Sequence, residues 1–184
     1  MILRPATRAE LPSVLALLAD ERTVVDPDSI TVTEAYERAF ADIETDPRNE
    51  LLVLLDEDLV VGCLQATYIP GLGKGGAERA LIEAVRIRAD RRGGGLGREL
   101  MERAMTRARE RGCALVQLTS DKERTDAHRF YASLGFARSH DGFKRALWQD
   151  GRPENIESSF SRTESSAQAD LSGPSPTSAP RLSG

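Results

Sequence analysis

Residues 85–97, Val-Arg-Ile-Arg-Ala-Asp-Arg-Arg-Gly-Gly-Gly-Leu-Gly, constrain the fold more than any other stretch of the 184-residue chain. An alternating apolar run that reads as a strand ends in glycines at 93, 94, 95 and 97. A helix follows directly, with apolar side chains at 96, 100, 101, 104, 105 and 108. The glycines let consecutive amides turn inward with no Cβ in the way, and the helix aims its unpaired N–H groups and positive dipole end at the same point. That is an anion site, and Arg91, Arg92 and Arg98 add charge suited to phosphate oxygens. Two standard nucleotide motifs do not fit. Gly95-Leu96-Gly97 is followed by Arg98, Glu99 and Leu100, which breaks G-x-G-x-x-G, and no glycine precedes Lys-Ser or Lys-Thr. The bland alternative is a glycine-rich turn that merely joins strand to helix, at an entropic cost a plain connection need not incur.

Elsewhere the chain switches between the strand and helix periods. Ile2–Arg4 reads as a short strand, and Thr7 predicts an N-cap for a helix through Leu11, Val14, Leu15 and Leu18. A second helix is predicted from Thr33 to Ile43, ending before Asp46-Pro47. Leu51–Leu55 and Leu59–Tyr68 are apolar runs around Asp56-Glu57-Asp58, a hairpin signature. Ala80–Ala89 then alternates, with Leu81, Glu83, Val85 and Ile87 expected on one side. The helix from about Leu96 should stop at Gly112, and Cys113–Leu118 reads as another strand. Thr125 or Asp126 can cap a short helix carrying Ala127, Phe130, Tyr131 and Leu134 and ending at Gly135. Phe136–Ser139 and Phe143–Trp148 are expected to close as a hairpin. The order β-α-α-β-β-β-α-β-α-β-β makes a mixed α/β, or α+β, domain with one central sheet.

After Trp148 come nine serines, four prolines and three glycines in 36 residues, with almost no large apolar side chains. Such a segment cannot bury enough surface to offset its ordering entropy, so residues 149–184 are expected to be a disordered Ser/Pro-rich tail on a domain of residues 1–148. The formal charge of −4 lacks the basic footprint of a nucleic-acid binder, and no nucleic-acid partner is expected. No apolar stretch approaches the roughly 20 residues that span a bilayer, and MILRPATRAEL lacks a signal-peptide core. Two cysteines, Cys63 and Cys113, are too few for a disulfide scaffold. A soluble cytoplasmic protein without membrane contact is expected. The small net charge hides two opposed halves. Residues 19–60 carry 13 acidic and 3 basic side chains, net −10, while residues 79–145 carry 16 basic and 9 acidic, net +7. This layout suits a polyanion on the second half and something cationic on the first, although two ordinary solvated faces would look the same.

Arg92-Gly93-Gly94-Gly95-Leu96-Gly97 resembles the R/Q-x-x-G-x-G/A acyl-CoA-binding motif of the GNAT superfamily of N-acetyltransferases. Phe130-Tyr131-Ala132-Ser133-Leu134-Gly135-Phe136 resembles that superfamily's second block, F/L-Y-x-x-x-G-F. The stretch DAHRFYASLGF, with SHDGFKRAL after it, further resembles the aminoalkylphosphonate N-acetyltransferase branch. The resemblance implies a mixed, mostly antiparallel central sheet flanked by about four helices. It also implies acetyl-CoA as cosubstrate, with its pyrophosphate on the amides of Gly93, Gly94, Gly95, Leu96, Gly97 and Arg98, beside Arg92. The pantetheine arm would pair with the strand Val85-Arg86-Ile87 like an added strand. Transfer would be direct, with a strand amide near Ile87 polarising the thioester oxygen and no acyl-enzyme. A homodimer is a further family-level expectation.

Two proton tasks remain for such a reaction. Glu83, expected on the Val85–Ile87 face and partly desolvated there, can serve as base directly or through water; a solvated or salt-bridged strand residue is the other reading. Tyr131 stands where the family places its general acid; a packed aromatic on an i, i+3, i+4, i+7 stripe is the other reading. Cys113 has no neighbouring base in sequence, and His128 and His140 are too isolated for a metal cluster, so no metal site is expected. The expected acceptor is the primary amine of a small molecule, which Asp20, Glu21, Asp26 and Asp28 could attract. Protein or peptide N-acetylation, or acyl-CoA binding without turnover, are the alternatives.

Overall fold

Alternating apolar side chains between residues 49 and 87 build the centre of the sheet. The computed structural model describes residues 1–19, 22–145 and 147. In chain order the elements are β1 (Ile2–Pro5), α1 (Leu11–Ala19), α2 (Glu34–Thr45), β2 (Asn49–Asp56), β3 (Leu59–Ile69), β4 (Arg79–Ile87), α3 (Leu96–Glu110), β5 (Leu115–Leu118) and α4 (Thr125–Ser133). The five strands form one sheet in the order β1-β2-β3-β4-β5. All neighbours are antiparallel except β4 and β5, which pair in parallel across the α3 crossover. Met1–His140 forms one compact unit. The expected tail, residues 149–184, lies outside the described residues, as do Asp20 and Glu21.

Each face of the sheet buries a separate core. On one face Leu52, Leu54, Val61, Leu64, Ala66, Tyr68, Ala80 and Ile82 meet the stripe Leu100, Met101, Ala104 and Ala108 of α3. That stripe follows the apolar positions read from the sequence. Phe130, Tyr131 and Leu134 of α4 pack against the same cluster. On the other face Val53, Leu55, Val60 and Cys63 meet Leu11, Val14 and Leu17 of α1 and Phe40 of α2. Gly62 is a point of close approach between strands. A Cβ there would lie 2.7 Å from Ile87 Cδ1 and 3.0 Å from the Arg86 carbonyl oxygen, so the bare glycine lets β4 come up against β3.

A polar tie fastens α3 to the sheet. The Glu50 carboxylate accepts hydrogen bonds from the Tyr68 hydroxyl at 2.7 Å and from Arg107 Nε and Nη2 at 2.7 and 2.6 Å. Arg111 stacks over the Tyr68 ring at 4.1 Å from its centroid and pairs with Glu78 at 3.1 Å.

The expected C-terminal hairpin is not formed among the described residues. Residues 136–145 contain no strand, and Trp148 lies outside the described set. Phe136 instead turns its ring edge-on to Tyr131, 5.9 Å between centroids, and joins the core by that contact. Two strands with no further partner would have been marginal in any case.

Candidate active site

The glycine loop is built as the sequence suggested. Gly93 and Gly95 hold left-handed backbone, φ 81° and 84°, and Gly95 is the N-cap of α3. The first intrahelical bond runs from the Glu99 amide to the Gly95 carbonyl at 3.1 Å. The amides of Leu96, Gly97 and Arg98 precede it and point out of the N-terminus, as helix geometry requires. A Cβ on Gly93, Gly94 or Gly95 would meet nothing within 4 Å, so the loop faces open space. Gly97 differs: its Cβ would touch Phe130 Cζ at 3.4 Å and Ile87 Cγ1 at 3.8 Å, and the small residue seats α3 on β4 and α4. If the loop holds the acetyl-CoA pyrophosphate that the resemblance implies, Gly95→Val should raise the dissociation constant for acetyl-CoA by about tenfold or more, because a β-branched residue strains at this φ and pulls the amides out of alignment. Calorimetric titration checks this, and wild-type affinity in the variant would refute the loop assignment.

β4 carries a bulge that changes which side chains share a face. Gln65 pairs with Glu83 and Cys63 with Arg86, so Leu64 alone stands opposite both Ala84 and Val85. Ala84 takes up the extra residue with φ 53°. The expectation that Leu81, Glu83, Val85 and Ile87 lie on one side is therefore corrected. Val85 and Ile87 pack against the α3-side core with Ala80 and Ile82, while Leu81 and Glu83 face the α1 and α2 side. Glu83 is exposed rather than inward-facing, and among the described residues its carboxylate has no hydrogen-bond or ion-pair partner.

Beyond the bulge β4 has an open edge. β5 pairs only with Arg79–Ile82, and among the described residues no strand pairs with 83–87 on that side. Arg86 Nη1 donates to the Val85 carbonyl at 3.0 Å, and Arg92 Nε to the Ile87 carbonyl at 2.9 Å. The loop cations are tethered: Arg91 to Asp56 at 3.2 Å, and Arg98 to Ser133 Oγ at 2.9 Å and Glu102 at 3.5 Å. Arg98 thus joins the start of α3 to the end of α4, whose Tyr131 ring lies between Phe130, at 5.2 Å, and Phe136.

Neither cysteine is poised as a nucleophile. Burial pushes the Cys63 thiol up to about 12, against a small opposing pull from Arg86, and Cys63 Sγ faces the Ala84 carbonyl at 3.7 Å. Cys113 is also raised, by burial and then by the Glu78 charge. His128 Nε2 lies 2.7 Å from the Asp121 carbonyl and His140 Nδ1 2.8 Å from Ser139 Oγ. Among the described residues no group of three or more His, Cys, Asp or Glu could hold a metal ion, and no helix is long and apolar enough to cross a membrane.

Sequence reasoning missed a polar strip beside Glu83. Asn49, Gln65 and Thr67 lie half-buried on the α1 and α2 face, where that face is no longer apolar. Thr67 Oγ1 donates to Asn49 Oδ1 at 2.7 Å, and Gln65 Nε2 reaches the same oxygen at 3.5 Å. Asn49 Nδ2 donates to Asp46 Oδ2 at 2.7 Å. The signal was present in the alternation of Cys63, Gln65 and Thr67 with Leu64, Ala66 and Tyr68.

Residues 12–136 match the model of the acetyltransferase (GNAT) family. A transcriptional regulator from Bacillus halodurans C-125 is 41% identical in sequence, with a TM-score of 0.71, over 79% of this chain and 99% of that one. An acetyltransferase from Trypanosoma brucei (24% identity, TM-score 0.66, 79% and 99% covered) shares the fold. So does glucosamine-6-phosphate N-acetyltransferase from Arabidopsis thaliana (18%, TM-score 0.63, 79% and 97%). No curated protein sequence gives a significant match. With the motif-bearing loop, the five-stranded sheet and a family match covering most of the folded unit, the chain belongs to the GNAT family of acetyltransferases.

Proposed function

We propose that this acyltransferase moves an acetyl group from acetyl-CoA directly to the primary amine of a small molecule. The observation that carries the reading is the β4 bulge. It sets an open strand edge beside the glycine loop and, one face away, an exposed carboxylate with no partner among the described residues. Acetyl-CoA, when bound, supplies an acetyl group already activated as a thioester. The residues present fit it. The amides of Gly93 to Arg98 are free to hold the pyrophosphate, with open space before the loop and Arg92 beside it. The backbone of Val85, Arg86 and Ile87 has no strand partner on that side among the described residues, and the pantetheine arm would add to this edge by displacing the Arg86 and Arg92 side chains from the Val85 and Ile87 carbonyls.

Glu83 removes the acceptor's proton, directly or through a water, and an exposed position lets an amine reach it from the α1 and α2 side. A β4 amide near Ile87 orients and polarises the carbonyl oxygen. Tyr131 returns a proton to the departing sulfur. The acidic balance of residues 19–60, which supply α2 and much of that side, favours a cationic acceptor.

A CoA-thiol release assay over a panel of amines tests the reading. The panel holds benzylamine, a polyamine, an aminosugar, an aminoalkylphosphonate and a lysine peptide. The DAHRFYASLGF resemblance supports the phosphonate arm, and the regulator name of the Bacillus halodurans protein is the reason for the peptide. Release is expected with a small amine. Release with the peptide alone would shift the reading to protein acetylation, and acetyl-CoA binding with no release for any acceptor would remove the transfer reading.

A further inference from the structure

Resting on that amine-acceptor reading, we infer that Gln65 is a positioning residue that holds the acceptor amine against Glu83 and makes the site selective for primary over secondary amines. The Asp46 carboxyl is held below the usual carboxylate range, first by the Arg48 amide at 2.9 Å and then by Asn49, so it only accepts hydrogen bonds. Asn49 must therefore turn its NH2 toward Asp46, which leaves Oδ1 facing β3. There Oδ1 takes the Thr67 hydroxyl and the Gln65 NH2 group. The polarity of one carboxylate is thus passed along a row of amides, and Gln65 is left with its carbonyl Oε1 uncommitted.

The cross-strand register places Gln65 directly opposite Glu83. On the β2 side Gln65 is satisfied by Asn49; on the β4 side its neighbour is a carboxylate with no partner among the described residues. An amide oxygen and a carboxylate on adjacent strands make two acceptors with no partner for either among the described residues, which fits an amine or ammonium group and repels an anion. A neutral primary amine has two N–H bonds and one lone pair. One N–H can rest on Glu83 and one on Gln65 Oε1, which fixes the direction in which the lone pair points. In the neutral form that attacks, a secondary amine has a single N–H and must leave one acceptor empty, so the selectivity falls on turnover rather than on binding of the ammonium form. Covering Gln65 Oε1 with an N-methyl group costs a hydrogen bond.

The full chain, labelled with nitrogen-15, is titrated with benzylamine and with N-methylbenzylamine, and the side-chain amide resonances of Gln65 and Asn49 are followed. Benzylamine should shift both and saturate. In the release assay Gln65→Leu should lower kcat/KM for benzylamine about tenfold, shrink the preference for benzylamine over its N-methyl analogue by a similar factor, and leave KM for acetyl-CoA unchanged. A purely structural role would lower both substrates' kcat/KM equally. Resonances that ignore benzylamine, or an unchanged preference in Gln65→Leu, would overturn the inference. Shifted resonances without CoA release for either amine would instead sink the transfer reading and keep the amine site. The titration of the wild-type chain decides even where the variant folds poorly.

Discussion

Glu83→Gln should lower kcat for the best amine by about two to three orders of magnitude, the range a positioned general base supplies, with the acetyl-CoA dissociation constant essentially unchanged. Glutamine keeps the size and one acceptor oxygen but cannot take a proton. Because Glu83 is exposed and has no partner among the described residues, the change orphans no buried group, and the melting temperature should stay where it is. A drop in kcat without a drop in stability is then a chemical effect. Tyr131→Phe is the companion measurement. The ring contacts to Phe130 and Phe136 survive loss of the hydroxyl, so kcat should fall by about tenfold or more with the fold intact. If Tyr131→Phe turns over at the wild-type rate, Tyr131 is a packed aromatic and the thiolate finds its proton elsewhere. If Glu83→Gln does so, the base is another group.

The second large effect is on stability, far from the glycine loop. Glu50 receives three hydrogen bonds, its side chain is 20% exposed and that of Arg107 41%. Glu50→Gln keeps the shape but removes the charge, leaving the Arg107 guanidinium without its bidentate partner and the Tyr68 hydroxyl, in the core, with a weaker acceptor. The loss should be about 2–3 kcal/mol, moderated by Arg107's access to water. That corresponds to a melting temperature lower by roughly 5–10 °C for a chain of this size. The effect should depend on pH with a defined sign. Burial alone would raise the Glu50 carboxyl, but the hydrogen bonds from Arg107 and Tyr68 outweigh it and hold the group below the usual range. A carboxyl depressed in the folded state stabilises fully above its unfolded value of about 4.3 and loses that contribution as pH falls through the folded value. The gap between wild type and variant should therefore be full at neutral pH and close in acid. Denaturant titrations from about pH 7 to about pH 3 check this, and a gap that widens in acid would contradict the assignment.

Much of the fold was legible because period and packing agreed. The α3 stripe at 100, 101, 104 and 108 is buried as the apolar spacing required, and the strands around Asp56-Glu57-Asp58 pair as a hairpin with Glu57 at φ 54°. The loop was legible because glycine alone suits its left-handed positions. The face of Glu83 was not. Counting by twos runs straight through a bulge, and Ala84, which has φ 53°, is no residue that announces left-handed backbone. The hairpin expected at 136–148 is not formed among the described residues, for a different reason. Phe136 has the apolar character of a strand residue, but an aromatic partner two residues before the end of α4, Tyr131, claims it first. Asn49, Gln65 and Thr67 were visible as polar positions, yet only the register brings them together beside Glu83.

Gly62 gives the sheet an asymmetry of tolerance. Gly93, Gly94 and Gly95 face open space, so a change there is felt locally, through backbone conformation alone. Position 62 lies on the strand behind β4, and any side chain placed there would press on Ile87 and on the Arg86 carbonyl. A variant at a residue that meets neither substrate would thus displace the strand edge on which the cosubstrate is proposed to lie, and in a kinetic screen it would imitate a lesion of the active site. For this chain, a position that would touch neither substrate still sets where the proposed cosubstrate edge lies.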